Sequence, residues 1–161
     1  MRSSAQMVAV LVVLLAPASA EAQAGGEWFW GGDGGRYEVH EDARTGVSAA
    51  LRAGLRWGVV GFQLSATRGF GDDSFTAVEP GVLLRLGPSS APVYLILGGG
   101  GGFLDENAAA FSYFGQVGVG AGVGGGRELQ ALVRRGSHSG SGNSGTFPGP
   151  HTFSLGFVRA F

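Results

Sequence analysis

Residues 151–161 read HTFSLGFVRAF. Phe153, Leu155, Phe157 and Phe161 fall on one parity; Thr152, Ser154, Gly156, Val158 and Ala160 fall on the other. A repeat of two is the signature of a strand, whose successive side chains point to opposite faces. The same period recurs upstream. Val47, Ala49, Leu51, Ala53, Leu55 and Trp57 alternate with Ser48, Ala50, Arg52, Gly54 and Arg56. Further runs begin at Val60, Thr76, Phe111 and Leu129, and two at 27–39 and 92–104 alternate less cleanly, the second because of its glycines at 98–102. Beyond the first 24 residues no stretch sustains the 3.6-residue period of a helix. The expected elements are eight strands and nothing else.

The connections alternate in character. WG at 57–58, GPSSAP at 87–92 and GGGR at 124–127 are short turns. HEDART at 40–45, GFGDDS at 69–74, LDENAAA at 104–110 and the Ser/Gly-rich stretch 136–151 read as longer polar loops. Turns on one rim and loops on the other describe an all-β, eight-stranded antiparallel up-and-down transmembrane barrel. The strand lengths suit a tilted membrane strand, which needs about 9–11 residues.

Alternation leaves open which face is outside, since a soluble barrel binding an apolar ligand alternates too. The non-apolar face is built largely of Gly, Ser, Thr and Ala with a few Arg, Glu and Gln, among them Arg52, Arg56, Arg85, Arg134 and Glu79. Small residues suit the inside of an eight-stranded barrel, which has room for side chains but not for a solute pore. The charged residues would form an internal polar network there. The Val, Leu and Phe face would meet hydrocarbon, with every backbone group satisfied by closure. Trp57 and Phe161 then lie at the turn rim, Phe111, Tyr113 and Phe153 near the loop rim, and Trp28 and Trp30 read as interface anchors.

Arg2, the apolar run MVAVLVVLLA at 7–16, Pro17 and the following small residues form a signal-peptide pattern. The run is shorter than the roughly 20 residues of a membrane helix. Residues 1–24 are the expected signal peptide, with cleavage after Ala24 or Ala20, and 25–161 the barrel domain. With no cysteine there is no lipid anchor or disulfide framework. All eleven basic residues are Arg, yet the net charge is −1, so nothing draws the chain to nucleic acid. GAGVGG at 120–125 fits a nucleotide-binding G-x-G-x-x-G, but it lies inside an alternating strand with no helix after it. Close packing inside a narrow barrel is the better use of those glycines. His40, His138 and His151 lack metal-ligand spacing, so no metal or cofactor is expected. Asp72 and Asp73 read as a solvated loop.

The closing strand with its terminal Phe161 resembles the assembly signal of bacterial outer-membrane barrels. That resemblance implies an outer-membrane location, contact with its lipids and lipopolysaccharide, and recognition by the barrel assembly machinery through the strand ending at Phe161. The segment VRRGSHSGSGNSGTFPGPHTFSLGF at 133–157 resembles the active-site region of the lipid A 3-O-deacylase (acyloxyacyl hydrolase) family. In that family an H-x-S-N motif supplies base, nucleophile and oxyanion donor, and a later Glu orients the base. Carried over without gaps, the nucleophile falls on Ser139 and a glycine of the pattern on Gly149. Ser137 stands at the histidine position, Gly140 at the asparagine and His151 at the glutamate. A serine needs a base, and His138 or His151 would have to act instead. Two functions follow: a non-enzymatic outer-membrane barrel, structural or surface-interacting, and a lipid A ester hydrolase using Ser139. The incomplete triad favours the first.

Overall fold

The computed structural model describes residues 25–39, 44–71, 74–87, 92–105, 109–139 and 146–161. The expected signal peptide, His40, Asp72 and Asp73 lie outside them. The elements are β1 (Glu27–Val39), β2 (Arg44–Trp57), β3 (Val60–Gly71), β4 (Thr76–Leu86), β5 (Val93–Asp105), β6 (Ala109–Gly124), β7 (Arg127–Ser139) and β8 (Thr146–Ala160). Each pairs antiparallel with its chain neighbours, and β8 returns to β1 to close one barrel. Closure removes the unpaired edge that an open sheet would expose.

The ladder registers set the tilt. Paired residues lead from Leu55 through Phe62, Val82, Gly99, Gly115, Arg135, His151 and Glu38 back to β2 at Thr45. One circuit therefore slips by ten residues (55 − 45). A stagger of this kind goes with strands inclined by roughly 40°, around an interior that side chains can fill.

The two faces follow the parity of the sequence. On β8, Phe153 and Leu155 are 64% and 74% exposed, whereas Thr152 and Ser154 are each 8% exposed. On β2, Val47 and Leu51 point out while Ser48 and Arg52 are buried. The two less regular runs resolve in the same way. β1 turns Trp28 and Trp30 outward and Phe29 and Tyr37 inward; β5 turns Leu95, Leu97 and Phe103 outward and Tyr94, Ile96 and Leu104 inward.

The interior holds more than small and charged residues. Aromatic rings enter it, and glycines make room for them. A Cβ at Gly120 would lie 2.2 Å from the Tyr94 ring, at Gly69 2.2 Å from Phe75, at Gly46 2.5 Å from Tyr37 and at Gly54 2.7 Å from Phe29. Tyr37 and Phe75 meet edge to face with centroids 5.2 Å apart and pack with Ala77 and Leu104 in the loop-side half. Tyr94, Ile96, Leu132 and Leu83 form a second cluster. Gly120 and Gly122 of the G-x-G-x-x-G stretch are thus in β6, Gly125 is in the turn that follows with a positive φ, and Gly120 serves the Tyr94 ring.

The strands reach into all four expected loops, and furthest into the last. The expected loop 136–151 is mostly strand: β7 runs on to Ser139 and β8 starts at Thr146. Ser, Gly and Pro signal turns locally, but a ladder needs only partners, and β6 supplies them along Phe111–Phe114. The register with β8 shifts between Arg135 and Ser137, where Gly149 and Pro150 fall opposite Gly136. Pro150 has no N–H to contribute, which suits an irregular step in the ladder.

Candidate functional site

The polar interior is organised around two carboxylates. Glu128, just after the β6–β7 turn, accepts hydrogen bonds from Arg56 at 3.1 Å and Arg85 at 3.4 Å, and from the Tyr94 hydroxyl. Arg56 also donates to Glu27 at 2.7 Å on the turn rim. The Arg85 guanidinium stacks on the Tyr94 ring at 3.9 Å. Gln130 donates to the Tyr94 hydroxyl at 3.1 Å and accepts from Arg52 at 3.1 Å, linking this group to the Arg52–Asp33 ion pair at 2.8 Å. In the loop-side half, Glu79 pairs with Arg134 and accepts from the Ser112 hydroxyl at 2.9 Å. Arg134 lies 3.8 Å over the Phe114 ring.

The network expected inside the barrel is present, with further members that sequence reading missed: Glu27, Asp33, Tyr94, Gln130 and Glu128. Glu128 and Asp33 are the partners of Arg56, Arg85 and Arg52. No local signal joins them, because the paired residues lie on different strands. Arg52, Arg56, Arg85 and Arg134 face Glu27, Asp33, Glu79 and Glu128, so the charges balance in sign. The cavity between the two groups measures about 40 Å³ and is walled by Asp33, Arg52, Glu79, Gln116 and Arg134, among others. A water needs roughly 10–15 Å³ by this measure. This cavity therefore has room for a few waters, and the polar residues around it act as an internal brace.

The residues carried over from the hydrolase motif lie at the far end of β7 and on β8. The backbone register pairs Ser139 with Phe111 and Thr146, and His138 with Ser112 and Phe147. Ser137 pairs with Tyr113 and Pro148 and is half-buried, lining the same cavity. His151 is half-buried between Arg135 on β7 and Glu38 on β1. The structure does not bring His151 to Ser139. His151 is level with Arg135, four residues below Ser139 on β7, a separation of roughly 13 Å along the strand. On β7 the partner of His151 is Arg135, not an acid. Among the described residues, no three His, Cys, Asp or Glu side chains are grouped as a metal site would need.

The outer surface is a belt of Val, Leu, Phe and Trp around the whole barrel. Solved structures with this architecture belong to small outer-membrane barrels. Neisserial surface protein A matches with a TM-score of 0.67 at 15% identity, over 86% of this chain and 98% of that one. The N-terminal β-barrel domain of Pseudomonas aeruginosa OprF matches at 0.65 and 11% identity, over 84% and 97%. The outer-membrane enzyme PagL matches at 0.50 and 12% identity, over 81% and 98%. At these identities the likeness is one of fold. No protein family model matches the chain, and no curated relative matches it.

Proposed function

We propose that the chain is an integral outer-membrane barrel without catalysis, structural or surface-interacting. Residues 1–24 export it, and the strand ending at Phe161 presents it to the barrel assembly machinery. Its apolar belt contacts outer-membrane lipids, and its loop rim faces lipopolysaccharide. One observation carries this reading: the apolar belt has the height of a membrane. Val47 and Trp57 are both exposed at opposite ends of the outward face of β2. Ten residues at about 3.3 Å each, inclined by roughly 40°, span about 25 Å, the height of the apolar band of outer-membrane barrels. Trp28, Trp30, Trp57 and Phe161 border it at the turn rim, and Phe70, Phe103, Phe111, Tyr113 and Phe153 lie toward the loop rim. A packed interior beneath such a belt suits a barrel that anchors its loops rather than one that conducts or stores a solute. Membrane fractionation and heat-modifiable migration on a gel test it. A protein recovered folded and soluble from the periplasm would overturn it.

Ester hydrolysis on lipid A is the second reading. What favours it is the place of Ser139 near the loop end of β7, level with the exposed Phe111 ring, where an acyl chain of the outer leaflet would lie. Release of fatty acid from purified lipid A is its test.

A further inference from the structure

Arg127 and Arg159 are direct cross-strand partners on β7 and β8, and both are exposed on the outer face. Side chains in that relation have Cβ atoms about 5 Å apart, and like charges placed so are destabilising. No ion pair relieves them: among the described residues neither arginine has a carboxylate partner. The Arg159 guanidinium lies 4.9 Å over the Phe161 ring, which leaves its positive charge uncompensated.

Their surroundings fix the depth at which they sit. In the ladder, Arg159 is also paired with Trp30 on β1. One outward step toward the loops lie Leu129 and Phe157, themselves partners. Phe161 and Trp28 lie one step toward the turns, joined by the Phe161 N–H to the Trp28 carbonyl at 2.9 Å. By ladder position the two arginines therefore sit between the hydrocarbon belt and the aromatics at the interface, a depth from which an arginine side chain reaches the headgroup region. We propose that Arg127 and Arg159 form a binding site for the phosphate of an anionic phospholipid in the turn-side leaflet. This inference rests on the outer-membrane reading given above. Two planar guanidinium forks on adjacent strands can each give a phosphate two parallel hydrogen bonds, and the phosphate removes the repulsion between them. Trp30 and Phe161 flank the glycerol and upper acyl region of the same lipid.

The three tryptophans of the chain, Trp28, Trp30 and Trp57, are all at the turn rim, so their fluorescence reports on the lipid beside this pair. The experiment uses the folded mature protein in phosphatidylcholine vesicles containing a fixed fraction of brominated phosphatidylglycerol or brominated phosphatidylcholine. Phosphatidylglycerol should quench the tryptophans as a preferred neighbour, with a relative affinity at least about fivefold above phosphatidylcholine, the effect of one arginine near an anionic surface. Arg127→Gln with Arg159→Gln should bring that ratio close to one. Added inorganic phosphate at constant ionic strength should not compete; full competition would mean a site for free anions and would overturn the lipid assignment. Equal quenching by both lipids in the wild type, or an unchanged preference in the double variant, would overturn it too. Arg159 also lies in the closing strand. Lower outer-membrane levels of Arg159→Gln in cells, with an unchanged lipid preference in vesicles, would assign the pair to the assembly machinery instead. Should the double variant not fold, Arg127→Gln alone leaves β8 intact and should lower the ratio by itself. Failure of the wild type to enter any vesicle would count against the membrane reading, whereas insertion without preference counts only against this site.

Discussion

The backbone N–H of Phe161 donates to the carbonyl of Trp28 at 2.9 Å, so the last residue is fastened to β1 through its main chain while its ring stays 64% exposed. Fastening and ring are thus separable. Phe161→Ala keeps the hydrogen bond and removes only an exposed ring with its Arg159 contact. Refolding into detergent or vesicles should be nearly unchanged, within about 0.5 kcal/mol, as for most surface substitutions. In cells, outer-membrane levels should fall sharply if the ring is what the assembly machinery reads. Normal levels in the membrane would remove Phe161 as an assembly signal.

Neighbouring glycines on β6 should respond in opposite ways. A Cβ at Gly118 would sit 2.3 Å from the Ala131 carbonyl oxygen and 2.6 Å from a Leu132 methyl, whereas one at Gly115 meets nothing within 4 Å. Gly118→Ala forces backbone and side chain apart inside the barrel and should cost about 1–3 kcal/mol. Gly115→Ala adds a methyl on the outer face and restricts only the unfolded chain, a gain of about 0.4–1 kcal/mol. Urea titration of the refolded barrel measures both. Equal costs would mean that the inner and outer faces of β6 are wrongly assigned.

The outward face of Val117 yields a third expectation. Val117 is 49% exposed and pairs with Leu97 and Val133, both also exposed. Val117→Arg places a charge in the middle of the apolar belt and should destabilise the bilayer-inserted barrel by about 2–4 kcal/mol. The loss should shrink in detergent micelles, where the head group reaches water more easily. A soluble barrel would tolerate the change in every medium.

The ion pair of Glu79 and Arg134 offers a test of the brace. Glu79 is 2% exposed and also holds the Ser112 hydroxyl. Glu79→Ala leaves Arg134 and Ser112 facing a void and should cost up to about 3–5 kcal/mol, as for a buried pair cut on one side. Glu79→Leu with Arg134→Met removes both charges and should recover most of the loss. Additive losses in the double variant, read from denaturant midpoints, would mean that the two side chains stabilise the barrel independently.

How far the sequence is legible follows from what each residue needs. Val47 to Trp57 declare their two faces unaided, because parity is a local property of a strand. β1 hides the same alternation, since its outward positions include Gly32 and Gly34, which carry no side chain to display it. Phe114 is legible as inward by its parity with Ser112 and Gln116, but Tyr94 is not, for a related reason. The space for Tyr94 is made by Gly120 on another strand, and a tyrosine among glycines gives no sign of its neighbour. Glu128 holds Arg56 and Arg85 from 72 and 43 residues away, a relation that barrel closure creates and spacing cannot. The stretch 136–139 read as loop because its composition is that of a turn, yet β6 is long enough to continue the ladder beside it.

Catalysis at Ser139 is the last matter the register informs. An acyl transfer needs the serine hydroxyl within about 2.6–3.2 Å of a base, and the base held in turn by a third group. His151 is displaced from Ser139 by four residues along the β7–β8 ladder, and its cross-strand partners are Glu38 and Arg135. The backbone register thus sets the two residues roughly 13 Å apart along the ladder. We therefore expect no release of fatty acid when the folded protein is incubated with purified lipid A, and no difference between wild type and Ser139→Ala. Barrel assembly should be equal in both, since Ser139 is the last residue of β7. If fatty acid is released, Ser139→Ala, His138→Ala and His151→Ala identify the machinery, and a true member of a triad should lose activity by a factor of thousands. Loss in Ser139→Ala together with His151→Ala would require the β7–β8 register to shift during the reaction, and the proposal of a non-catalytic barrel would be withdrawn.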